Sequence, residues 1–173
     1  MSFSPVPDFS FRDVTGIKPD FLSQLGIRFL MLDMDNTIAA YGTRSPTEEV
    51  LQWVAEIKKS GVKLYLVSNS IRKGRAEEFA GILDIGFIKG ARKPSPKGVR
   101  KAMSETGFDA HESSLVGDQA YTDVLAANRA GVVSIAVRPI RFSNPALALR
   151  YALELPFRAL CKNKRNGKKH EQH

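Results

Sequence analysis

Hydrophobic and polar positions alternate along this chain in blocks that predict strands and helices in turn. Compact apolar runs at Ile27–Leu32 and Val62–Val67 are typical of buried strands. Between them, apolar positions recur with helical spacing from Thr47 to Lys59. We expect this helix to begin with Ser45 as its N-cap and Pro46 at its first helical position.

The same alternation continues towards the C-terminus. Three further strands are predicted at Gly86–Ile88, Ser114–Val116 and Val132–Val137, and three further helices at Arg72–Ala80, Pro96–Thr106 and Tyr121–Ala130. A last helix is predicted from Pro145 to about Glu154, with Pro156 breaking or kinking it.

Strands that are apolar on both faces and alternate with helices predict an α/β fold. We expect a Rossmann-like three-layer sandwich around a mainly parallel sheet. Ligands bind beyond the carboxyl ends of the strands in such sheets. The chemistry should therefore lie in the loops after Leu32, Val67, Ile88 and Val116.

Polar residues follow four of these strands. They are Asp33 and Asp35 in the segment DMDNT, Ser68 and Asn69 after the next strand, Lys93 before a proline, and Asp118 and Asp123 in GDQAYTD. Serine and asparagine are ordinary turn formers, and a lone lysine is usually a surface charge. In this order, each at a strand end, the four segments together are a specific signal.

The four segments resemble the motifs of the haloacid dehalogenase-like phosphohydrolases: DxDxT, a serine or threonine, a lysine, and GDxxxxD. The closer resemblance is to the YqeG family of phosphatases, which is related to mitochondrial phosphatidylglycerophosphate phosphatases. It rests on Gly26-Ile27, LMLDMDNTI, VSNS, KGR at Lys73–Arg75, ARKP and GDQAYTDVLAANRAG, and covers roughly residues 8–160.

This resemblance implies a Mg²⁺-dependent phosphatase with Asp33 as the nucleophile that forms an aspartyl-phosphate. Asp35 would be the acid/base that protonates the leaving group and then activates water. Lys93 would offset the negative charge of the nucleophile and the phosphate.

The resemblance also implies the ligands of the metal and of the phosphoryl group. Asp33, Asp118 and the backbone carbonyl of Asp35 would hold Mg²⁺, and Asp123 would orient a bound water. Ser68 and the Asn69 amide would bind a phosphoryl oxygen. The role of Arg75 stays open between substrate contact and a helix arginine that is solvated or salt-bridged.

The spacing of the motifs leaves no room for a cap domain. About nine residues separate Thr37 from the helix at Pro46, and four separate Ile88 from Lys93. A capless site suits a large or surface-bound substrate, or a small substrate closed in by another subunit of a homo-oligomer. A dehalogenase of this superfamily would lack the second aspartate, which is Asp35 here.

Composition adds a positive charge bias to this picture. The net charge is +8, and +4 of it falls after residue 160, where Lys162, Lys164, Arg165, Lys168 and Lys169 face only Glu171. We expect a phosphatase domain over residues 1–160 and a disordered basic tail over residues 161–173. Such a tail either solubilises the protein or contacts nucleic acid or an anionic membrane.

The remaining features predict a cytoplasmic protein. The N-terminal segment lacks the basic and apolar regions of a secretory signal, and no apolar run reaches the roughly 18 residues that span a bilayer. The single cysteine, Cys161, cannot form an internal disulfide. Leucines between Pro145 and Leu160, followed by the basic tail, indicate peripheral contact with an anionic membrane, unless the leucines pack on the sheet.

Three functions remain open at this point. The first is a phosphatase that acts on phosphatidylglycerophosphate. The second is a capless phosphatase for soluble sugar or nucleotide phosphates, or for a nucleic-acid end. The third is a non-catalytic binding module on the same fold, against which the complete set of catalytic residues argues.

Overall fold

One six-stranded sheet forms the centre of the molecule, and every strand pair in it is parallel. The computed structural model describes residues 4–70, 74–142 and 145–161. The strands lie in the order β1-β6-β5-β2-β3-β4. Their bounds are β1 Phe9–Ser10, β2 Phe29–Leu32, β3 Lys63–Val67, β4 Gly86–Ile88, β5 Ser113–Gly117 and β6 Val133–Ala136.

Helices cover both faces of the sheet. Their bounds are α1 Pro19–Gln24, α2 Glu48–Lys59, α3 Arg75–Leu83, α4 Lys97–Thr106, α5 Leu125–Ala130 and α6 Pro145–Ala159. On β2, Leu30 and Leu32 pack in a core with α1, α2 and α3, whereas Phe29 and Met31 pack in a second core with α4 and α5. Because successive strand side chains point to opposite faces, one buried strand serves both cores. The predicted three-layer α/β fold is confirmed.

The two segments in which a cap would be inserted are short loops. Residues 38–47 lead from the DMDNT segment to α2, and residues 89–92 lie between β4 and Lys93; neither contains a helix. The carboxyl ends of the central strands are therefore uncovered on these two sides, as the capless fold requires.

Several predicted helix boundaries are wrong. α3 runs past Ala80 to Leu83, because Asp84 in the left-handed region ends it, and α5 begins only at Leu125 after a π-helical turn. α2 begins at Glu48, and its N-cap is Thr47, whose side chain accepts a hydrogen bond from the backbone N–H of Val50 at 3.4 Å. Ser45 is not the cap, because Pro46 is buried ahead of the helix and the chain enters in extended form at Thr47. Pro156 does not end α6, which continues to Ala159.

Two elements at the N-terminal end were not predicted. β1 has only two residues and pairs with β6 at the edge of the sheet, and α1 has only six. Both are too short for a periodic pattern to form.

Two predicted features lie outside the described residues. They are Lys73 of the KGR segment and the predicted basic tail, of which only the buried Cys161 is described.

Candidate active site

The carboxyl ends of four strands bring the predicted residues together. Asp33 follows β2, Ser68 follows β3, Lys93 lies in the loop after β4, and Asp118 follows β5. A cavity of about 590 Å³ opens at this edge of the sheet. Its lining includes the predicted residues Asp33, Asp35, Ser68, Asn69, Lys93 and Asp123.

Lys93 is the buried cation of the site, and its side chain is 1% exposed. Its Nζ lies 2.6 Å from Oδ1 of Asp33 and 2.7 Å from Oδ1 of Asp123, and it donates to the carbonyl of Val67 at 2.8 Å. Burial by itself would lower the pKa of Lys93, but the charges of Asp123 and Asp33 outweigh burial and raise it. Lys93 therefore stays charged, and it joins Asp33 of the first motif to Asp123 of the fourth.

Three buried carboxylates lie next to one another at the base of the cavity. One oxygen from each of Asp33, Asp118 and Asp123 falls within 4.8 Å of the others. Burial raises the pKa of Asp33 to about 6, against the charge of Lys93 and with the charges of Asp123 and Asp35 adding to the rise. Burial, and then the charges of Asp123 and Asp33, raise the pKa of Asp118 well above its usual range.

This cluster fits a metal ion. Oδ1 of Asp118 is buried and has no hydrogen-bond partner among the described residues. A buried acceptor without a donor is costly, and a divalent cation held by carboxylate oxygens would satisfy it. Asp33, Asp118 and Asp123 could together hold such an ion.

Gly117 fixes the position of Asp123. A β-carbon added at Gly117 would overlap the carboxylate of Asp123, so only glycine allows this approach. The backbone N–H of Gln119 donates to Oδ2 of Asp123 at 3.1 Å across a single π-helical turn, Ala120–Val124. The glycine of the GD motif thus brings its second aspartate back towards the strand end.

Asn69 and Ser68 lie in the loop after β3, and their side chains make different contacts. The side-chain amide of Asn69 donates to the Lys93 carbonyl at 2.9 Å and accepts from the Lys93 N–H at 2.7 Å. Asn69 therefore fastens the lysine loop to the serine loop. The hydroxyl of Ser68 accepts from the Ser70 N–H at 3.0 Å, and a hydroxyl that accepts can still donate to a ligand.

Asp35 faces an arginine and not the carboxylate cluster. Nη2 of Arg75 lies 2.7 Å from Oδ1 of Asp35, and Nη1 of Arg75 donates to the Thr43 carbonyl at 2.5 Å. The guanidinium also lies 5.2 Å from the ring centroid of Phe79. Arg75 is thus a salt-bridged helix arginine that holds the second aspartate of the DxD motif and the loop beyond it.

The last helix, α6, contributes to the site in a way that the sequence analysis missed. Leu147 and Arg150 line the cavity. Farther along the helix, the buried Arg158 donates to the carbonyl of Val137 at 2.9 Å and to the carbonyl of Asp118, and pairs with the buried Glu154 at 3.1 Å. The spacing of Glu154 and Arg158, four residues apart among leucines, was the signal in the sequence.

Comparison with known proteins identifies the family. The model of the haloacid dehalogenase-like hydrolases matches residues 15–131, a span that includes the four motifs. The chain belongs to this family. The predicted family and the predicted phosphatase class are confirmed.

Individual relatives give the same result. The chain is 31% identical over 162 residues to the probable phosphatase YqeG of Bacillus subtilis, a match that covers 94% of this chain and 93% of that protein. It is 32% identical over 99 residues to the pyrophosphatase PpaX of Bacillus velezensis, covering 52% of this chain and 45% of that protein.

Solved structures share the fold. The cobalt-bound form of the deoxy-D-mannose-octulosonate 8-phosphate phosphatase of Haemophilus influenzae has a TM-score of 0.54 at 13% identity, covering 78% of this chain and 90% of that chain. An uncharacterized protein from Listeria monocytogenes serotype 4b has a TM-score of 0.55 at 15% identity, covering 76% of this chain and 98% of that chain.

Across residues 4–70, 74–142 and 145–161, no helix combines the length and the apolar character that crossing a bilayer requires.

Proposed function

We propose that this phosphatase hydrolyses phosphomonoesters with Mg²⁺ through an aspartyl-phosphate on Asp33. The observation that carries the proposal is the position of the Asp33 carboxylate. It lines the cavity, pairs with Lys93 at 2.6 Å, and shares a buried cluster with Asp118, whose Oδ1 has no partner among the described residues.

In the first step, an oxygen of Asp33 forms a bond to phosphorus while the bond from phosphorus to the ester oxygen breaks. The leaving oxygen takes a proton from Asp35. The Ser68 hydroxyl and the Asn69 backbone N–H would donate to the phosphoryl oxygens, and Lys93 would offset the charge of the attacking carboxylate.

In the second step, water attacks phosphorus and gives its proton to Asp35. The bond between phosphorus and Asp33 breaks, so inorganic phosphate leaves and the enzyme is restored. A Mg²⁺ ion at the cluster would neutralise charge on the phosphoryl oxygens.

Hydrolysis of p-nitrophenyl phosphate tests the mechanism. We expect activity with Mg²⁺, loss of activity in EDTA, and loss of at least about 1,000-fold in Asp33→Asn, in which size is kept and the nucleophile is removed. Asp109→Asn is the matched control, because Asp109 lies outside the cavity lining. Full activity in excess EDTA, or near-normal turnover of Asp33→Asn, would contradict the mechanism.

For the substrate, we propose a phosphomonoester carried by an anionic lipid, with phosphatidylglycerophosphate as the first candidate. The resemblance to the YqeG family supports it, and so does the outer face of α6. Three leucines on that helix and one directly after it are exposed by about half or more: Leu149, Leu153 and Leu155 on α6, and Leu160. The residues that α6 buries are Glu154 and Arg158, so these leucines do not pack on the sheet.

An apolar helix face beside the mouth of an uncapped cavity would reach a substrate held in a membrane. A helix with its leucines in the interface binds through apolar area, and basic residues add attraction to acidic lipid. The predicted basic tail would supply that charge.

Two measurements test the lipid proposal. We expect kcat/KM for micellar phosphatidylglycerophosphate to exceed that for soluble sugar and nucleotide phosphates, and the protein to sediment with anionic vesicles at low salt. Leu149→Gln and Leu153→Gln together should weaken sedimentation but leave p-nitrophenyl phosphate hydrolysis unchanged, with Lys101→Gln on α4 as the control. Equal activity on soluble esters and no sedimentation would instead favour a phosphatase for soluble phosphates.

A further inference from the structure

The cavity contains two cations among the described residues that line it, and they differ in what surrounds them. The ammonium group of Lys93 already pairs with Asp33 and Asp123 and donates to the Val67 carbonyl. The second cation is Arg150 of α6, whose side chain is 39% exposed. Its Nε lies 3.8 Å from Glu154, a carboxylate that pairs more closely with Arg158 at 3.1 Å. Among the residues that the structure describes, Arg150 has no closer acidic partner, so most of its guanidinium donors are available to a ligand in the cavity that it lines.

α6 places Arg150 in the wall of the cavity and is attached to the sheet near the site. The anchor of the helix is Arg158, which donates to the carbonyls of Asp118 and Val137. The ring of Phe157 meets that of Tyr121 edge-on at a centroid distance of 6.0 Å, which strengthens the same attachment. Arg150 lies eight residues before Arg158, or about 12 Å along the helix axis. Arg150 is thus part of the wall of the cavity, and it also lines a small adjoining pocket together with Asp118 and Glu154.

Apart from Lys93 and Arg150, the charged side chains that line the cavity among the described residues are acidic. Asp33, Asp35 and Asp123 also line the cavity and would repel any anion on the leaving group of a substrate. An arginine fork binds a carboxylate or a phosphate diester through two parallel hydrogen bonds. Leu147, one helical turn before Arg150, adds an apolar surface next to that fork.

We propose that Arg150 determines substrate specificity by binding a second anionic group on the leaving side of the substrate. The substrate class is then a phosphomonoester whose alcohol carries a phosphodiester or a carboxylate a few bonds from the scissile oxygen. This inference rests on the proposed phosphatase function, and it applies equally to a lipid headgroup and to a free metabolite.

A pair of compounds that differ only in the second anion tests it. One is glycerol 3-phosphate, and the other is the same compound with a methyl phosphodiester on its far hydroxyl. Charge-assisted hydrogen bonds contribute about 1.5–3 kcal/mol, so we expect the wild type to prefer the diester by about 10- to 100-fold in kcat/KM.

Variants assign that preference to Arg150. Arg150→Gln should abolish it through a raised KM for the diester, with little change for glycerol 3-phosphate, and Arg150→Lys should keep part of it. Arg141→Gln, which removes an equal charge from an exposed site outside the cavity lining, should keep all of it. A wild type that does not discriminate, or an Arg150→Gln protein that still prefers the diester, would overturn the proposal.

A binding measurement separates this proposal from the proposed function. If neither compound is hydrolysed, the phosphatase mechanism fails, but calorimetric binding of both compounds to Asp33→Asn with Mg²⁺ still decides the role of Arg150. Tighter binding of the diester that is lost in the double variant Asp33→Asn/Arg150→Gln supports specificity, and equal binding of both compounds refutes it. Binding of the same headgroup presented on vesicles is then compared with binding of the free diester. Tighter binding of the vesicle form indicates a lipid substrate, and equal binding indicates a soluble one.

Discussion

At the scale of single residues, the close approach of Gly117 and Asp123 determines the shape of the carboxylate cluster. No side chain fits between the end of β5 and the Asp123 carboxylate. That carboxylate in turn receives the Lys93 ammonium at 2.7 Å. A small displacement at Gly117 would therefore reach the nucleophile Asp33 through Lys93, which touches both acids.

Gly117→Ala should consequently impair the site more than the fold. We expect activity to fall by at least about tenfold and the Mg²⁺ concentration for half-maximal activity to rise, because displacing the Asp123 carboxylate disturbs the cluster. Steady-state kinetics at a series of Mg²⁺ concentrations would measure both. Gly81→Ala is the control, since a β-carbon at that helical position meets nothing within 4 Å. Unchanged kinetics in Gly117→Ala would show that Asp123 can move freely.

The types and order of the site residues could be predicted from sequence, but their partners could not. Each motif follows its own strand, and parallel strands present their carboxyl ends at one edge, so Asp33, Ser68, Lys93 and Asp118 could be placed together. The bonds from Asn69 to the Lys93 backbone, and from Arg75 to Asp35, join residues 24 and 40 positions apart. Such pairings depend on loop paths that no local pattern encodes.

At the scale of elements, α6 has its polarity reversed relative to an ordinary surface helix. It buries Glu154 and Arg158 and exposes leucines. The helix could be predicted from sequence, but whether its leucines pack on the sheet or face outwards stayed open, because hydrophobic spacing does not show which face a helix buries. Pro156 was expected to break or kink the helix, and it does not end it. Contacts of the next two residues, Phe157 with Tyr121 and Arg158 with Asp118, hold the last turn in place.

Arg158→Met should be strongly destabilising. It leaves Glu154 buried without its closest partner and removes the donor from two buried carbonyls, which typically costs about 3–5 kcal/mol. Urea unfolding would measure the change in free energy. Glu154→Leu combined with Arg158→Met should recover much of that stability, but not the Mg²⁺ affinity, because the Asp118 carbonyl still lacks its donor.

An exposed pair with the same spacing provides the control for Arg158→Met. Lys101 and Glu105 lie 3.7 Å apart on the surface of α4. Lys101→Met should change stability by no more than about 0.5 kcal/mol, since exposed ion pairs contribute little. If Arg158→Met lowered the free energy of unfolding by no more than Lys101→Met does, α6 would not be anchored by this arginine.

At the scale of the whole molecule, the buried acids make stability depend on pH and on metal together. The pKa of Asp33 rises from 3.8 to about 6 on folding, so the folded state binds its proton more tightly than the unfolded state. The stability linked to that proton is fully present below pH 3.8 and is lost as pH rises through about 6. The shift at Asp118 has the same sign.

In EDTA, the contribution of Asp33 to the free energy of unfolding should fall by about 1 kcal/mol between pH 5 and pH 7. Added Mg²⁺ should restore stability more at pH 7 than at pH 5, because the metal competes with protons for the same oxygens. Urea midpoints with Mg²⁺ and with EDTA at the two pH values measure this. In EDTA, the difference in urea midpoint between pH 5 and pH 7 should be smaller in Asp33→Asn than in the wild type. A metal-free protein that gains stability from pH 5 to pH 7, with no difference from Asp33→Asn, would contradict the raised pKa.

The attachment of α6 to Asp118 has a consequence for the growing polypeptide on the ribosome. Arg158 is added 40 residues after Asp118. At about 5–20 residues per second, that delay is roughly 2–8 seconds. Five residues into this interval, at Asp123, all four motifs have been synthesised, yet the loop that carries Asp118 still lacks the donor that holds its carbonyl. Translation thus imposes an order in which every strand segment of the sheet, up to Ala136, is synthesised before the arginine that completes the site.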